Sequence, residues 1–178
     1  ILTHSRAKII FCEDQEQVDK AIEVADETPD VRHVVVFDPR GTRDYSDSRL
    51  MTFRTFVEKG RELLSDQPDW FDQKVRSLDP DDVSMIVYTS GTTGPPKGAM
   101  ITSANALVTG REIIPMLGID EDDTILSYLP LCHVAEKIFT LFMPLTAGCT
   151  VHFGESVYTV QSDPRKAGPT RFLAAPRS

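Results

Sequence analysis

Strand and helix patterns alternate over the first forty residues, and this alternation limits the fold more than any other feature of the sequence. Residues 8–12 (KIIFC) and 32–37 (RHVVVF) are short apolar runs rich in β-branched and aromatic residues, which is typical of strands. Between them, apolar residues recur at helical spacing over residues 14–26, and Asp14 is a suitable N-cap. A strand, a helix and a strand joined by short links predict a βαβ unit with parallel strands.

The same alternation continues along the rest of the chain. Four further strands are predicted at residues 83–88, 124–129, 150–153 and 170–175, and four further helices at 52–64, 103–114, 132–143 and 157–166. We expect the helix over 52–64 to bury an aromatic stripe, Thr102 or Ser103 to cap the next helix, and Gly148 to end the helix after residue 132. Residues 38–49 predict a surface loop, and residues 65–82, with six aspartates, a solvated acidic connector. The pattern indicates an α/β fold with a mainly parallel sheet flanked by helices.

Composition excludes several classes of protein. A net charge of −8 argues against nucleic-acid binding, because phosphates attract basic surfaces. No apolar run approaches the roughly 20 residues that span a bilayer. The three cysteines are widely spaced, so we expect buried free thiols in a reducing cytoplasm. The chain does not begin with Met, and we expect its true start upstream of Ile1.

One loop, Tyr88 to Gly98 (YTSGTTGPPKG), combines the groups that a polyphosphate needs. Glycines allow sharp turns and close backbone approach, and successive N–H groups in such turns favour anions. Four hydroxyls and one cation complete the set, and the candidate ligand-binding residues are Thr89, Ser90, Gly91, Thr92, Thr93, Gly94 and Lys97. A flexible Gly/Ser/Thr turn without a ligand is the structural alternative, which the full string of eleven residues disfavours.

Two better-known phosphate loops do not fit this string. A Walker A loop ends in Gly-Lys-Ser/Thr, whereas Pro96 precedes the lysine here. No Gly-x-Gly pair occurs in the loop, so it is not a dinucleotide-binding fingerprint either. A phosphotransferase of the Walker A type is therefore disfavoured.

The string resembles the phosphate-loop signature of the adenylate-forming superfamily, which includes acyl-CoA synthetases, peptide adenylation domains and luciferases. The resemblance implies that the loop binds the β- and γ-phosphates of ATP, with Lys97 in the catalytic role. It also implies that a loop threonine, Thr92 by position with Thr93 second, helps to hold Mg²⁺. Where the family usually continues with Thr-His-x-Asn, this chain has serine at 103, between Thr102 and Asn105.

A second stretch, residues 128–136 (YLPLCHVAE), resembles the Leu-Pro-Leu-x-His-Val-x-Glu segment of long-chain fatty-acid CoA ligases. Membership of that group implies that residues around His133 border the acyl and pantetheine channel, which makes His133 a substrate-site candidate. The alternative for a lone His-x-x-Glu is a capped helix start with a satisfied histidine. A metal site is disfavoured because no third ligand has a suitable spacing.

The resemblance implies a two-step reaction in which a long-chain fatty acid, ATP with Mg²⁺ and coenzyme A give acyl-adenylate and then acyl-CoA. It also implies a cytoplasmic protein, with peripheral contact at the inner membrane allowed and the oligomeric state left open. Later family motifs and the C-terminal domain have no counterpart here, so residues 1–178 are expected to be part of the N-terminal adenylation domain. The alternatives are a non-catalytic nucleotide- or partner-binding module, or a ligase for another carboxylic acid.

Overall fold

The computed structural model describes residues 1–89, 94–154 and 168–173, and the chain divides into two units. The first unit is Ile1–Leu78 and the second is Asp79–Ser178. The boundary between the units lies within residues 65–82, the stretch predicted as an acidic connector.

A three-stranded parallel sheet organises the first unit. Its strands are β1 (Ile9–Cys12), β2 (His33–Val36) and β3 (Leu50–Thr52), in that order across the sheet. Both pairings are parallel. The predicted βαβ unit is therefore confirmed, while β3, which is only three residues long, was not predicted.

The helices of the first unit begin where local sequence favours them. They are α1 (Leu2–Ser5), α2 (Gln15–Glu23), a 3₁₀ turn (Ala25–Glu27), α3 (Phe53–Asp66) and α4 (Trp70–Arg76). The Asp14 side chain accepts a hydrogen bond from the Gln17 backbone N–H at 3.3 Å, which confirms the predicted N-cap of α2. Thr52 caps α3 in the same way, through the backbone N–H of Thr55. Helix α4 lies in the stretch for which no helix was predicted.

Small apolar side chains, mostly valines, form the core of this unit on one face of the sheet. Val18 and Ala21 of α2 pack against residues of β1 and β2, and the buried cluster is Cys12, Val18, Ala21, Val31, Val34 and Val36. Burying one such valine contributes about 1.5–3 kcal/mol relative to leaving it exposed. Apolar burial of this kind accounts for the fold of the first unit.

Four phenylalanines pack together in the same unit but are not buried. The ring of Phe53 lies 4.7 Å from that of Phe37, and the ring of Phe56 lies 5.4 Å from that of Phe11. Phe11 and Phe37 are about half exposed, and α3 contains no buried residue. The prediction that α3 buries its aromatic stripe is therefore wrong, because these rings contact one another at the surface.

In its described residues, the second unit contains two separate strand pairs and two long helical segments. Its elements are β4 (Val83–Thr89), β5 (Lys97–Thr102), α5 (Ser103–Leu117), β6 (Thr124–Ser127), α6 (Val134–Lys137), a π-helix (Ile138–Phe142), α7 (Met143–Ala147) and β7 (Thr150–Phe153). Strands β6 and β7 are parallel, whereas β4 and β5 form an antiparallel pair. No strand was predicted over β5, and its first two residues, Lys97 and Gly98, were predicted as part of the loop. Because the other strand pairings in the described ranges are parallel, the mainly parallel α/β fold class is confirmed.

The core of the second unit is assembled around β6 and the long helix that follows it. Ile119, Ile125, Met143 and Cys149 form its buried cluster. Helices α6 and α7 continue into each other through the π-helix, so one helical segment covers residues 134–147. Gly148 ends it in the left-handed conformation at φ 81°, as predicted for a C-terminal glycine.

The last described residues lie beside β6. The Arg171 backbone N–H donates to the Thr124 carbonyl at 3.0 Å, and Arg171 forms a single parallel bridge with Ile125. Asp123 accepts hydrogen bonds from the Thr170 hydroxyl and the Arg171 guanidinium, and the Thr170 hydroxyl is the main reason that the pKa of Asp123 is lowered. Over 168–173 the predicted strand is thus reduced to one bridge. The predicted helix at 157–166 and residues 174–175 lie outside the described residues.

All three cysteines are free thiols, as predicted, but only two are buried. Burial raises the pKa of Cys12 and of Cys149, which makes both poor nucleophiles. Cys132 is exposed, so the prediction that it is buried is wrong. No helix in the described part of the chain has both the length and the apolar character needed to cross a membrane.

Candidate functional site

The hairpin formed by β4 and β5 holds the two ends of the glycine-rich loop. Thr89 is paired with Lys97 across the ladder, and Tyr88 is paired with Gly98. Residues directly opposite in an antiparallel pair project to the same face, with Cβ atoms about 4.5–5.5 Å apart. The structure therefore brings the hydroxyl-bearing Thr89 and the cationic Lys97 together at the base of the loop.

Lys97 is available to a ligand. Its side chain is exposed, and it makes no ion pair or hydrogen bond with any residue that the structure describes. The ion pairs within the described residues use other lysines and arginines, such as Lys8 with Asp30 and Arg49 with Asp47. An ammonium group without a protein partner can bind an anion without first breaking an internal contact.

Two glycines of the loop are required for different physical reasons. Gly94 has φ 110°, a conformation that side-chain-bearing residues rarely adopt, and no atom of a described residue lies within 4 Å of a Cβ added there. Gly98 lies in β5, where an added Cβ would stand 2.7 Å from Ile86 Cγ2 and 3.3 Å from the Tyr88 ring. Gly94 thus permits the turn, and Gly98 permits close packing of the hairpin beneath it.

Four of the predicted ligand-binding residues, Ser90, Gly91, Thr92 and Thr93, lie outside the described residues. Their assignment to phosphate, and that of Thr92 to Mg²⁺, stay predictions. A lysine and a threonine hydroxyl at the loop base fit an anion with several oxygens. They do not form a cation site by themselves, since Mg²⁺ is bound by carboxylates and substrate phosphates. Within the described ranges, no group of three acidic, His or Cys side chains is placed to hold a metal.

Helix α5 begins directly after β5 and is fixed by a capping box. The Thr102 hydroxyl accepts from the Asn105 backbone N–H at 3.1 Å, and the Asn105 side chain accepts from the Thr102 N–H at 3.1 Å. Of the two predicted caps, Thr102 is the one that the structure uses, and Ser103 is the first residue of the helix. The Ala104 N–H also donates to the Pro80 carbonyl at 2.8 Å, which ties the helix start to the segment before β4.

His133 occupies the N-cap position of α6. Its backbone N–H donates to the Pro130 carbonyl at 3.0 Å, and its carbonyl accepts from the Lys137 N–H at 3.2 Å. The imidazole is exposed and makes no hydrogen bond with any described residue, so it does not act as a side-chain cap. No hydrogen bond among the described residues joins His133 to Thr89 or Lys97. The structure does not place these predicted site residues in direct contact.

A buried carboxylate, which the sequence analysis named only as the last residue of the segment 128–136, lies one turn after His133. Glu136 is 1% exposed, and its Oε1 atom accepts hydrogen bonds from Ser127 Oγ and Thr140 Oγ1, both at 2.7 Å. Ser127 is the last residue of β6, and Thr140 lies in the π-helix. The four-residue spacing of Glu136 and Thr140 is visible in the sequence, whereas the contact with Ser127, nine residues away, depends on the fold.

Comparison with known proteins supports the resemblance of the loop to that of adenylate-forming enzymes. All of residues 1–178 match the family model for AMP-binding enzymes. The chain is 27% identical over 190 residues to the long-chain-fatty-acid–CoA ligase ACSBG2 of Xenopus laevis, in a match that covers 99% of this chain and 24% of that protein. The chain therefore spans about a quarter of the length of this curated relative.

Two solved structures share the fold at low sequence identity. A long-chain-fatty-acid-CoA ligase (FadD1) from Archaeoglobus fulgidus superposes with a TM-score of 0.67 and 23% identity, over 99% of this chain and 32% of that one. ATP-bound MatB from Rhodopseudomonas palustris gives a TM-score of 0.65 and 19% identity, over 96% of this chain and 30% of that one. At these identities the likeness shows the fold alone. Since the family model matches the whole chain, the chain belongs to the AMP-binding, adenylate-forming ligase family.

Proposed function

We propose that this chain carries the phosphate loop of an ATP-dependent ligase that converts a long-chain fatty acid into an acyl-adenylate and then into acyl-CoA. The observation that carries the proposal is the pairing of Thr89 with Lys97 across the base of a glycine-rich loop, where Lys97 is exposed and has no partner among the described residues. Curated relatives named long-chain-fatty-acid–CoA ligases support the choice of substrate.

In the first step, a carboxylate oxygen of the fatty acid attacks the α-phosphorus of ATP. A new P–O bond forms, the bond from the α-phosphorus to the bridging oxygen breaks, and pyrophosphate leaves with the electron pair. Lys97 and the Thr89 hydroxyl would hold this leaving group through charge-assisted hydrogen bonds, and the loop residues Ser90, Gly91, Thr92, Thr93 and Gly94 would surround it. Thr92 would contact Mg²⁺, which supplies charge neutralisation on the phosphates.

In the second step, the thiolate of coenzyme A attacks the acyl carbonyl carbon. A C–S bond forms, the bond from that carbon to the adenylate oxygen breaks, and AMP leaves. We place His133 beside the acyl and pantetheine channel, where an exposed imidazole without a described partner is free to contact substrate.

We further propose that residues 1–178 are part of the N-terminal adenylation domain of a longer protein, with residues 65–82 as the connector before the phosphate loop. The match covers only 24% of the curated relative ACSBG2, which supports the proposal that the protein is longer. The proposed substrates are a long-chain fatty acid, ATP and CoA. The proposed location of the protein is the cytoplasm, with peripheral contact at the inner membrane allowed. On this proposal, the complete reaction also uses residues of the longer protein that lie outside residues 1–178.

Pyrophosphate exchange into ATP, measured on the protein expressed from its complete reading frame, tests the proposal. We expect fatty-acid-dependent exchange that is strongest for long chains, and Lys97→Ala should slow it by roughly 10²–10³-fold, the cost of losing one preorganised electrostatic donor. Lys59→Ala, at an exposed lysine of α3, is the matched control and should leave the rate unchanged.

Two results would count against the proposed function. Equal exchange rates in Lys97→Ala and Lys59→Ala would show that Lys97 does not belong to the site. Exchange that depends on a short or aromatic acid but not on long-chain acids would support the ligase chemistry and contradict the proposed long-chain substrate.

A further inference from the structure

The buried carboxylate of Glu136 has no role in the two steps above. Its two hydrogen-bond donors are neutral hydroxyls, Ser127 and Thr140, and no cation within the described residues pairs with it. Burying a carboxylate costs free energy that hydroxyl donors offset only in part. For stability alone, an apolar residue of similar size would serve at least as well at this position. The carboxylate therefore calls for an explanation other than stability.

The hydrogen bond between Ser127 and Glu136 closes a ring in the chain. It joins the carboxyl end of β6 to the first turn of α6, nine residues later. His133 lies inside this closed segment and is itself held by backbone bonds to Pro130 and Lys137. His133 thus lies in a segment whose two ends are joined by the bond that Glu136 makes with Ser127.

The second hydrogen bond extends this connection into the π-helix. Thr140 lies one turn after Glu136 and donates to the same oxygen, Oε1. A π-helix is rare and is frequently found at functional sites, because its wider turn redirects the side chains around it. Through Oε1, Glu136 therefore links the end of β6 with the π-helix that follows α6.

We propose that Glu136 is a positioning residue, which holds His133 in place relative to the carboxyl end of β6 through Ser127 and Thr140. The relevance of this position to substrate rests on the proposed function, whereas the positioning itself is a property of this chain. Open α/β proteins bind ligands at the carboxyl ends of their parallel strands, so His133, near the carboxyl end of β6, is suitably located for a substrate contact.

Imidazole NMR signals test the positioning without any activity measurement. The chain has four histidines, and His4 and His33 belong to the first unit, so they report on general unfolding. In the complete protein, we expect Glu136→Ala to shift or broaden the His133 signals while those of His4 and His33 stay unchanged. Glu136→Gln keeps an oxygen acceptor for both hydroxyls and should restore most of the wild-type His133 signals.

Glu112→Ala removes an exposed glutamate of α5 and is the matched control, with no effect expected on His133. If Glu136→Ala does not fold, Ser127→Ala and Thr140→Val each remove one hydrogen bond and should each shift the His133 signals. His133 signals that coincide with wild type in folded Glu136→Ala, or in both single-hydroxyl variants, would overturn the proposal. Equal shifts at all four histidines would also overturn it, because they would indicate a general structural role.

An activity measurement then separates this inference from the proposed function. We expect kcat/KM for the carboxylic acid or CoA to fall on the order of 10²-fold in Glu136→Ala, with the KM for ATP unchanged, as misplacement of a substrate-side group predicts. If the wild-type protein shows no exchange but Glu136→Ala moves His133, the proposed function fails and the positioning stands. If exchange is present and His133 does not move, the positioning fails and the function stands.

Discussion

The parallel sheet of the first unit and the β4–β5 hairpin of the second unit use their side chains in opposite ways. In the sheet, Val34, Val35 and Val36 are at most 1% exposed and stabilise the unit by burial. In the hairpin, Val87 is buried, but Thr89, Lys97 and Met100 are exposed. Residues that stabilise a fold are removed from water, whereas residues that bind a ligand must stay accessible. The comparison predicts that substitutions of buried residues in either region change the free energy of unfolding, whereas substitutions of the exposed hairpin residues Thr89 and Lys97 change ligand binding.

The largest expected effect on stability lies in the sheet. Val34→Asp would place an unpaired carboxylate at a position that is 1% exposed, so we expect a loss of about 3–5 kcal/mol in the free energy of unfolding, or failure to fold. Urea denaturation followed by circular dichroism measures this. Val34→Ala is the control for volume and should be destabilised less. A Val34→Asp protein as stable as wild type would contradict the description of this core.

A smaller effect is expected at the packed glycine of the hairpin. Gly98→Ala adds a Cβ at 2.7 Å from Ile86 Cγ2, so the neighbouring side chains must move, at a cost of about 1–3 kcal/mol. Gly60→Ala, at a helical position with open space, is the control and should be neutral or slightly stabilising. If Gly98→Ala were as stable as Gly60→Ala, the close packing of β4 on β5 would be wrong.

The N-cap of α2 should contribute still less to the free energy of unfolding. Asp14→Ala removes the acceptor for the Gln17 N–H, and we expect a loss of about 1 kcal/mol in the free energy of unfolding. Asp14→Asn and Asp14→Ser retain a capping oxygen and should recover most of this loss. Identical unfolding midpoints for Asp14→Ala and Asp14→Asn would show that the cap makes no measurable contribution.

The smallest effect is a pH dependence at the Asp123 contact. The Thr170 hydroxyl, and to a lesser extent the Arg171 guanidinium, lower the pKa of Asp123 in the folded chain. A lowered folded pKa contributes stability above the unfolded pKa, about 4, and this stability is lost as the pH falls through the folded value. Asp123→Asn should therefore lose stability relative to wild type at pH 7 but much less at pH 3. A difference that is the same at both pH values would exclude this linkage.

The sequence predicted the regions where local pattern and tertiary structure agree. Strands β1, β2 and β7 and the caps at Asp14, Thr102 and Gly148 follow from periodicity and cap chemistry, which act over a few residues. Strand β5 was missed because the segment KGAMIT has no alternating apolar pattern and is defined by its pairing with β4. The phenylalanines of α3 were predicted as core, but Phe53 is exposed and Phe56 is only partly buried, because helical spacing does not show what covers a face.

The candidate site was predictable to a similar extent. Thr89 and Lys97 were found from the loop string, and their pairing at its base adds geometry that the string does not contain. The role of Glu136 was missed because a bond to Ser127, nine residues away, arises only once β6 and α6 have formed. Contacts of this kind require the fold, whereas the loop is specified by adjacent residues.

Binding of MgATP to the complete protein, measured by titration calorimetry with wild type and Lys97→Ala, tests the central claim most directly. We expect one bound nucleotide per chain, and an affinity loss in Lys97→Ala of about ten- to a hundredfold, as one charge-assisted hydrogen bond of about 1.5–3 kcal/mol predicts. No nucleotide binding by the wild-type protein, or an unchanged affinity in Lys97→Ala, would contradict the assignment of this loop to the phosphates of ATP.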